Sequence, residues 1–298
     1  MIRACTLTLL LVATACTSPP RRGGGDVDGF LGNDDLANAL PDLTGQNQQG
    51  CAGQANDCFA VYAHSDHILY YIDLSTKALI KIGTMSTAAG GMDNITDLAV
   101  APDGTLYVIS ATDLYRADTT TAALTLVGPV SVCGMDNIAL SFTPDGSLYV
   151  GDHLTGAFCK IDLGVNPPAV TQIGLLGGGL ALSGDIVTIA DGTMYGTAYK
   201  IADTGTSGTQ SNNLLIKINP ATGASIQTVG STTYPKLFGA AYALGEVFGF
   251  THDGTGNVVT INPTTGKGTL FNTFTDPGTG KGISFGGAGV NSLVPAIP

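Results

Sequence analysis

The sequence predicts an all-β fold, a β-propeller of five four-stranded blades closed by a C-terminal strand. Three observations predict it. Glu246 is the only Glu among 23 acidic residues, and glycines number 42. Asp and Gly favour turns whereas Glu favours helices, so the chain is rich in turns and poor in helix. The heptapeptide PDGTLYV at 102–108 returns as PDGSLYV at 144–150, each time between apolar, β-rich runs. A second strand–turn–strand phrase recurs with its turn residue at Asp73, Asp118, Asp162, Asn219 and Asn262, spaced by 45, 44, 57 and 43 positions. A unit of roughly 45 residues holding four strands is the sequence sign of a propeller blade.

Taken in chain order, MIRACTLTLLLVATAC has Arg3, an apolar run and small residues before a cysteine, the pattern of a secretory signal. Ala13-Thr14-Ala15-Cys16 resembles the lipobox of bacterial lipoproteins, although that family more often has Leu where Ala13 stands. The resemblance implies that residues 1–15 are removed and that Cys16 carries lipid. Thr17 after the cysteine implies the outer membrane under that family's sorting rule. The apolar stretch is too short for a spanning helix, so the expected membrane attachment is the lipid alone. Residues 16–50 read as a flexible tether, with TSPPRRGGGDVDG lacking any periodicity that would bury a face. Asp34 to Leu40 admit a short helix.

Four further cysteines remain for an exported chain: Cys51, Cys58, Cys133 and Cys159. Four allow three disulfide pairings. Nearness in sequence favours Cys51–Cys58 and Cys133–Cys159. No CxxC occurs, so neither a zinc ribbon nor a thioredoxin-like site is indicated.

The propeller spans 51–290, with a C-terminal tail at 291–298. Each PDG copy joins two strands as a tight hairpin, in ITDLAVAPDGTLYVIS and IALSFTPDGSLYVGD. Weaker copies lie at 186–199 and 239–252. The 57-residue interval leaves a sixth blade open, but its extra length, ADTGTSGTQSNN (202–213), reads better as one loop between two strands. The first blade has CFAVYAH (58–64) but lacks an innermost strand, and KGISFGGAG (281–289) is an orphan. The orphan completes the first blade and removes an open sheet edge. These PDG-x-LYV hairpins resemble the NHL-type, YVTN-type and gluconolactonase-like propellers. The resemblance implies the fold, and those families differ widely in function.

Two features point to the mouth of the central channel. GGMDNIT (90–96) and CGMDNIA (133–139) each precede an innermost strand, which places Asp93, Asn94, Asp136 and Asn137 near the axis, with Asp185 as a third member. Such a set suits Ca²⁺ or the polar groups of a sugar or peptide. The competing reading is that Asp and Asn make Asx turns that start the strands. Second, alignment of the second strands places His64, His153 and His252 in register. His64, His67 and His252 come from adjacent blades and suit Zn²⁺, whereas blades 1 and 3 look too far apart for their histidines to share an ion. The competing reading is strand-end histidines bonded to neighbouring loops. Tyr107, Tyr149, Tyr195 and Phe248 read as blade packing.

The net charge of −11 argues against a nucleic-acid partner. DPGTGKGIS lacks the Gly and Ser/Thr that a phosphate loop needs at 275 and 282. The chain has no Trp for quinoprotein-like docking, and Glu246 sits at the start of a second strand, away from the mouth. The expected function is therefore a lipid-anchored binding module of the bacterial cell envelope with a protein or glycan partner. The alternative is a metal-assisted lactonase- or lyase-like enzyme using His153 or His252.

Overall fold

In the computed structural model the described residues are 60–74, 76–203 and 212–296. The signal, the tether, Cys16, Cys51 and Cys58 lie outside them. Blade 1 holds β1 (Val61–Ser65), β2 (Ile68–Asp73) and β3 (Ala78–Thr84), and a short β4 (Ser86–Thr87) follows. Blade 2 is β5 (Ile95–Val100), β6 (Leu106–Ser110), β7 (Asp113–Ala117) and β8 (Ala123–Pro129). Blade 3 is β9 (Ala139–Phe142), β10 (Leu148–Gly151), β11 (Ala157–Asp162) and β12 (Ala169–Leu175). Blade 4 is β13 (Leu180–Thr188), β14 (Met194–Lys200), β15 (Leu214–Ile218) and β16 (Ser225–Ser231). Blade 5 is β17 (Leu237–Ala243), β18 (Glu246–Thr251), β19 (Asn257–Ile261) and β20 (Gly268–Thr273). The last strand, β21 (Gly287–Gly289), pairs antiparallel with β1, setting Gly287 opposite His64 and Gly289 opposite Tyr62. The orphan thus completes blade 1, and the ring has five blades. The long interval is the β14–β15 connection. Blade 2 alone gains a fifth, parallel strand, β4 beside β8.

Burial follows distance from the axis. The innermost strands β9 and β13 are buried throughout, whereas the outermost strands β12 and β16 are half-buried or exposed at every residue. Consecutive innermost strands touch all round the ring, including β17 with β21 and β21 with β5. The turns form for the reasons the residues imply. In the first hairpin Asp103 Oδ1 accepts the Thr105 amide at 2.9 Å while Gly104 takes φ 86°, a conformation L side chains avoid. Asp118 Oδ1 accepts the amides of Thr120 and Thr121 at 2.8 Å each, and Asn262 repeats the arrangement with Thr264 and Thr265. The aromatic column packs between strands and carries cations: Tyr107 stands opposite Arg116, Tyr149 opposite Lys160 and Tyr195 opposite Lys217. Each basic group lies 5.5–5.9 Å from its ring centroid.

Cys133 and Cys159 form a disulfide that ties the loop before β9 to β11, within the buried cluster of blades 2 and 3. It closes a loop of 26 residues. Chain entropy then assigns it about 3.5 kcal/mol. The Cys133→Ala/Cys159→Ala variant is expected to lose that much in a urea titration, and an unchanged midpoint would contradict it.

Residues 291–294, expected as tail, are instead packed into the propeller. Asn291 bridges to Val100, and its amide nitrogen donates to the carbonyls of Ala101 and Pro102. Val294 accepts the Ala190 amide at 2.9 Å. These partners belong to the innermost turns of blades 2 and 4. The segment therefore crosses the end of the channel opposite the mouth, and Asn291, Ser292 and Val294 are buried there.

Candidate functional site: the channel mouth and the axis

The channel mouth is a pocket of about 300 Å³. It is built from residues at and just after the ends of second strands in blades 1, 3 and 5 and from residues in or entering the innermost strands. His64, His153 and His252 all line it, as do Asp66, Asn94 and Phe238. The three histidines predicted in register therefore surround one space, blades 1 and 3 included, while His67 is not part of its lining.

Two of the imidazoles are oriented by a carbonyl at Nδ1 and the third by a carboxylate. His64 Nδ1 lies 3.2 Å from the Asp66 carbonyl, and His252 Nδ1 lies 2.8 Å from the Phe285 carbonyl. His252 also stacks on Phe238, with ring centroids 4.4 Å apart and planes within 7°. His153 Nδ1 is 2.5 Å from Asp136 Oδ2, an ion-pair contact. That carboxylate pushes the His153 pKa up against the opposing effect of burial. His64 is only 1% exposed, and its Nε2 makes no hydrogen bond. Burial lowers its pKa to about 4, against the opposing carbonyls of Asp66 and Thr96, so it is neutral at physiological pH.

Beneath the pocket, on the axis, two fully buried carboxyls meet. Asp97 on β5 and Asp185 on β13 hydrogen-bond to each other. Asp97 accepts the amides of Leu98 and Leu140, while Asp185 accepts those of Ile186, Ala240 and Ala288. These five donors come one from each blade. Burial drives both pKa values well above the ordinary carboxylate range. Two charges at hydrogen-bonding distance inside the protein cannot both persist, so the pair retains a shared proton. An axial carboxyl pair ringed by N–H donors is built to hold a proton. A cation there would face the positive ends of those amides.

The five carboxylates and amides predicted to converge are dispersed. Asn94 lines the pocket. Asp93 accepts its neighbour's amide and the Tyr115 hydroxyl. Asp136 holds His153. Asn137 is buried as a loop brace, accepting the Cys133 amide and donating to the carbonyls of Ala111 and Ser131. Asp185 is on the axis. Among the described residues one trio, Asp136, Asp152 and His153, brings three possible ligand atoms within 4.8 Å of one another. The Asp152 carboxylate there is saturated by the amides of Met135, Leu154 and Thr155 and by the Thr155 hydroxyl. That trio is a loop clasp.

A family model described as a repeat of unknown function (DUF6923) matches residues 125–284, just over half of the chain. The chain belongs to the DUF6923 family. No curated protein matches it. Among solved structures, a chain of a nidogen–laminin complex is similar at 12% identity, with coverage of 79% of this chain and 99% of that one and a TM-score of 0.49. A symmetrical protein of de novo evolutionary emergence is similar at 18% identity, 80% and 99% coverage and a TM-score of 0.47. A protein of unknown function from Bacteroides caccae is similar at 11% identity, 72% coverage of each chain and a TM-score of 0.39. In this DUF6923 chain the matched segment holds blades 3, 4 and 5 whole, so Asp185, His153 and His252 lie inside it, and His64 and Asp97 outside. Asp97 is the residue that sequence reasoning passes over. Its signal is a charge in the middle of an apolar innermost strand, ITDLAV, echoed by SGDIV around Asp185.

Proposed function

We propose that this chain is a binding module that receives a small ligand, or one side chain of a partner, in the channel mouth. The observation that carries the reading is the pocket itself. The opposite end of the channel is crossed by residues 291–294 and the axis is stopped by the carboxyl pair, so the mouth is a blind recess with oriented imidazoles in its wall. The exported, lipid-anchored placement at the bacterial outer membrane belongs to the same proposal, and the signal-like segment ending at Cys16 supports it. A ligand at a hundred times its Kd adds about 2.7 kcal/mol to stability. A thermal-shift panel of sugars, lactones, alkylamines and divalent cations is expected to contain at least one such stabiliser, weakened in His252→Ala. A panel with no stabiliser would overturn the reading.

One observation favours the enzymatic alternative: a carboxylate-held imidazole at the mouth, Asp136–His153, is the geometry of a general base. Turnover of a lactone that is lost in His153→Ala would establish it.

A further inference from the structure

The hydrogen bonds already made around the mouth restrict which partner chemistry its wall accepts. The protons of the lining groups are already committed inward. The Thr96 hydroxyl faces the carbonyls of Ile109 and Asn137. The Ser183 hydroxyl donates to Asn213 Oδ1 at 2.8 Å. His64 and His252 each face a carbonyl through Nδ1, whereas His153 Nδ1 meets the Asp136 carboxylate as an ion pair. In neutral His64 and His252 the proton then sits on Nδ1; the His64 Nε2 is buried, and the His252 Nε2 is left with its lone pair. Asp66 adds a carboxylate on an exposed turn, and among the described residues no lysine or arginine lines the pocket. Asn94 has the one side-chain amide in the lining that donates as well as accepts. Among the described residues the wall thus offers acceptors in the Asp66 carboxylate and the His252 imidazole and few uncommitted donors, and its one potential cation, His153, is already paired with Asp136. A short apolar sleeve of Ile95, Ile138 and the Phe238 ring completes it.

Three guests suit lone pairs. A metal ion needs its ligand atoms gathered, and His64, His153 and His252 are not so gathered. A sugar offers as many acceptors as donors and would leave its acceptors unanswered here. A primary ammonium has three N–H donors, no acceptor, a positive charge and an alkyl stem for the sleeve. We infer that the mouth binds a primary ammonium group, whether the tip of a lysine on a partner protein or a free alkylamine. This rests on the mouth being the binding surface proposed above.

The test is calorimetric titration of the full chain at pH 8, where alkylamines remain protonated, with n-butylammonium, n-butanol, tetramethylammonium, methyl glucoside and Zn²⁺. Saturable binding of n-butylammonium is expected, at least tenfold tighter than n-butanol or tetramethylammonium. Asp66→Asn and His252→Phe should each weaken it by roughly tenfold, since hydrogen bonds to a charged group are the strong ones. Asn tolerates the φ of 48° at position 66, and Phe keeps the stack on Phe238, so both variants are expected to fold. A polar peptide with one central lysine that binds tighter than n-butylammonium identifies a protein partner; an equal or weaker one identifies a free amine. Binding of n-butanol, glucoside or Zn²⁺ at the amine's strength or better overturns the ammonium assignment and leaves the mouth a binding site. Amine binding unchanged in both variants also overturns it. No heat from any probe overturns the assignment and the binding reading together.

Discussion

Replacing Asp97 by alanine is expected to lower the unfolding free energy by about 3–5 kcal/mol, and the melting temperature by roughly 10 °C. The variant strips the acceptor from two buried amides, Leu98 on its own strand and Leu140 on the next blade. Each orphaned amide costs about 1–3 kcal/mol, and the void adds to it. Asp97→Asn keeps the shape, one acceptor and a donor toward Asp185, so it should cost less than alanine. The shared proton also fixes the sign of a pH effect. The folded pair keeps a proton that an unfolded Asp, titrating at about 3.9, has released. The native state therefore binds more protons than the unfolded chain above that pH, and the pair's contribution to stability falls as pH rises from there through the raised native value. His64 works oppositely, because its lowered pKa removes stability as pH drops below the ordinary histidine value toward about 4. The difference between wild type and Asp97→Asn isolates the pair. Chemical denaturation between pH 5 and 9 should show a steeper decline in the wild type, and parallel curves would refute the shared proton.

Gly287→Val is expected to open the ring. A Cβ at 287 would start 2.1 Å from Asp97 Oδ1, 2.9 Å from His64 Nε2 and 3.0 Å from the Asp97 Cα. None of these is the loose end of a flexible side chain. β21 must retreat, and β1 then presents an unpaired edge. The loss should be about 3 kcal/mol or more, with self-association by size-exclusion chromatography. Gly278→Ala serves as control: the site is exposed, its φ is ordinary, and its added atom would meet only the Asp276 carboxylate at 3.3 Å. It should stay within about 0.5 kcal/mol of wild type. A Gly287→Val protein as stable and monomeric as the control would show that β21 is dispensable.

The blades were legible because their cause is local. Alternating apolar runs, Asx turns at Asp118 and Asn262, and glycines such as Gly104 act within a few residues of themselves. The Cys133–Cys159 pairing and the completion of blade 1 followed from proximity and from one orphan strand seeking one missing place. The axis was not legible. Asp93 and Asp97 stand four positions apart in GGMDNITDLAV, and local sequence does not decide which one enters the channel. The path of the preceding loop decides it: Asp93 is held outward by the Tyr115 hydroxyl, and Asp97 is drawn in by the Leu140 amide of another blade. The mouth was half legible. The register of His64, His153 and His252 could be read, but the convergence of blades 1 and 3 on one small recess is a property of ring diameter, which no single blade encodes.

The pairing of β21 with β1 joins residues at opposite ends of the propeller sequence, and this sets a schedule. Apart from the β4–β8 pair, blades 2 to 5 are made of hairpins whose partners are neighbours in the chain, so each can form from local contacts. Blade 1 cannot. Its innermost strand is the last of the ring to be made, and the Asp185 carboxyl waits with it, since one of its donors is the Ala288 amide. Until Gly287–Gly289 arrive, β1 keeps an open edge and the buried carboxyls lack their full set of amides. Closure of the ring is therefore a late, long-range pairing, the kind of contact that slows folding.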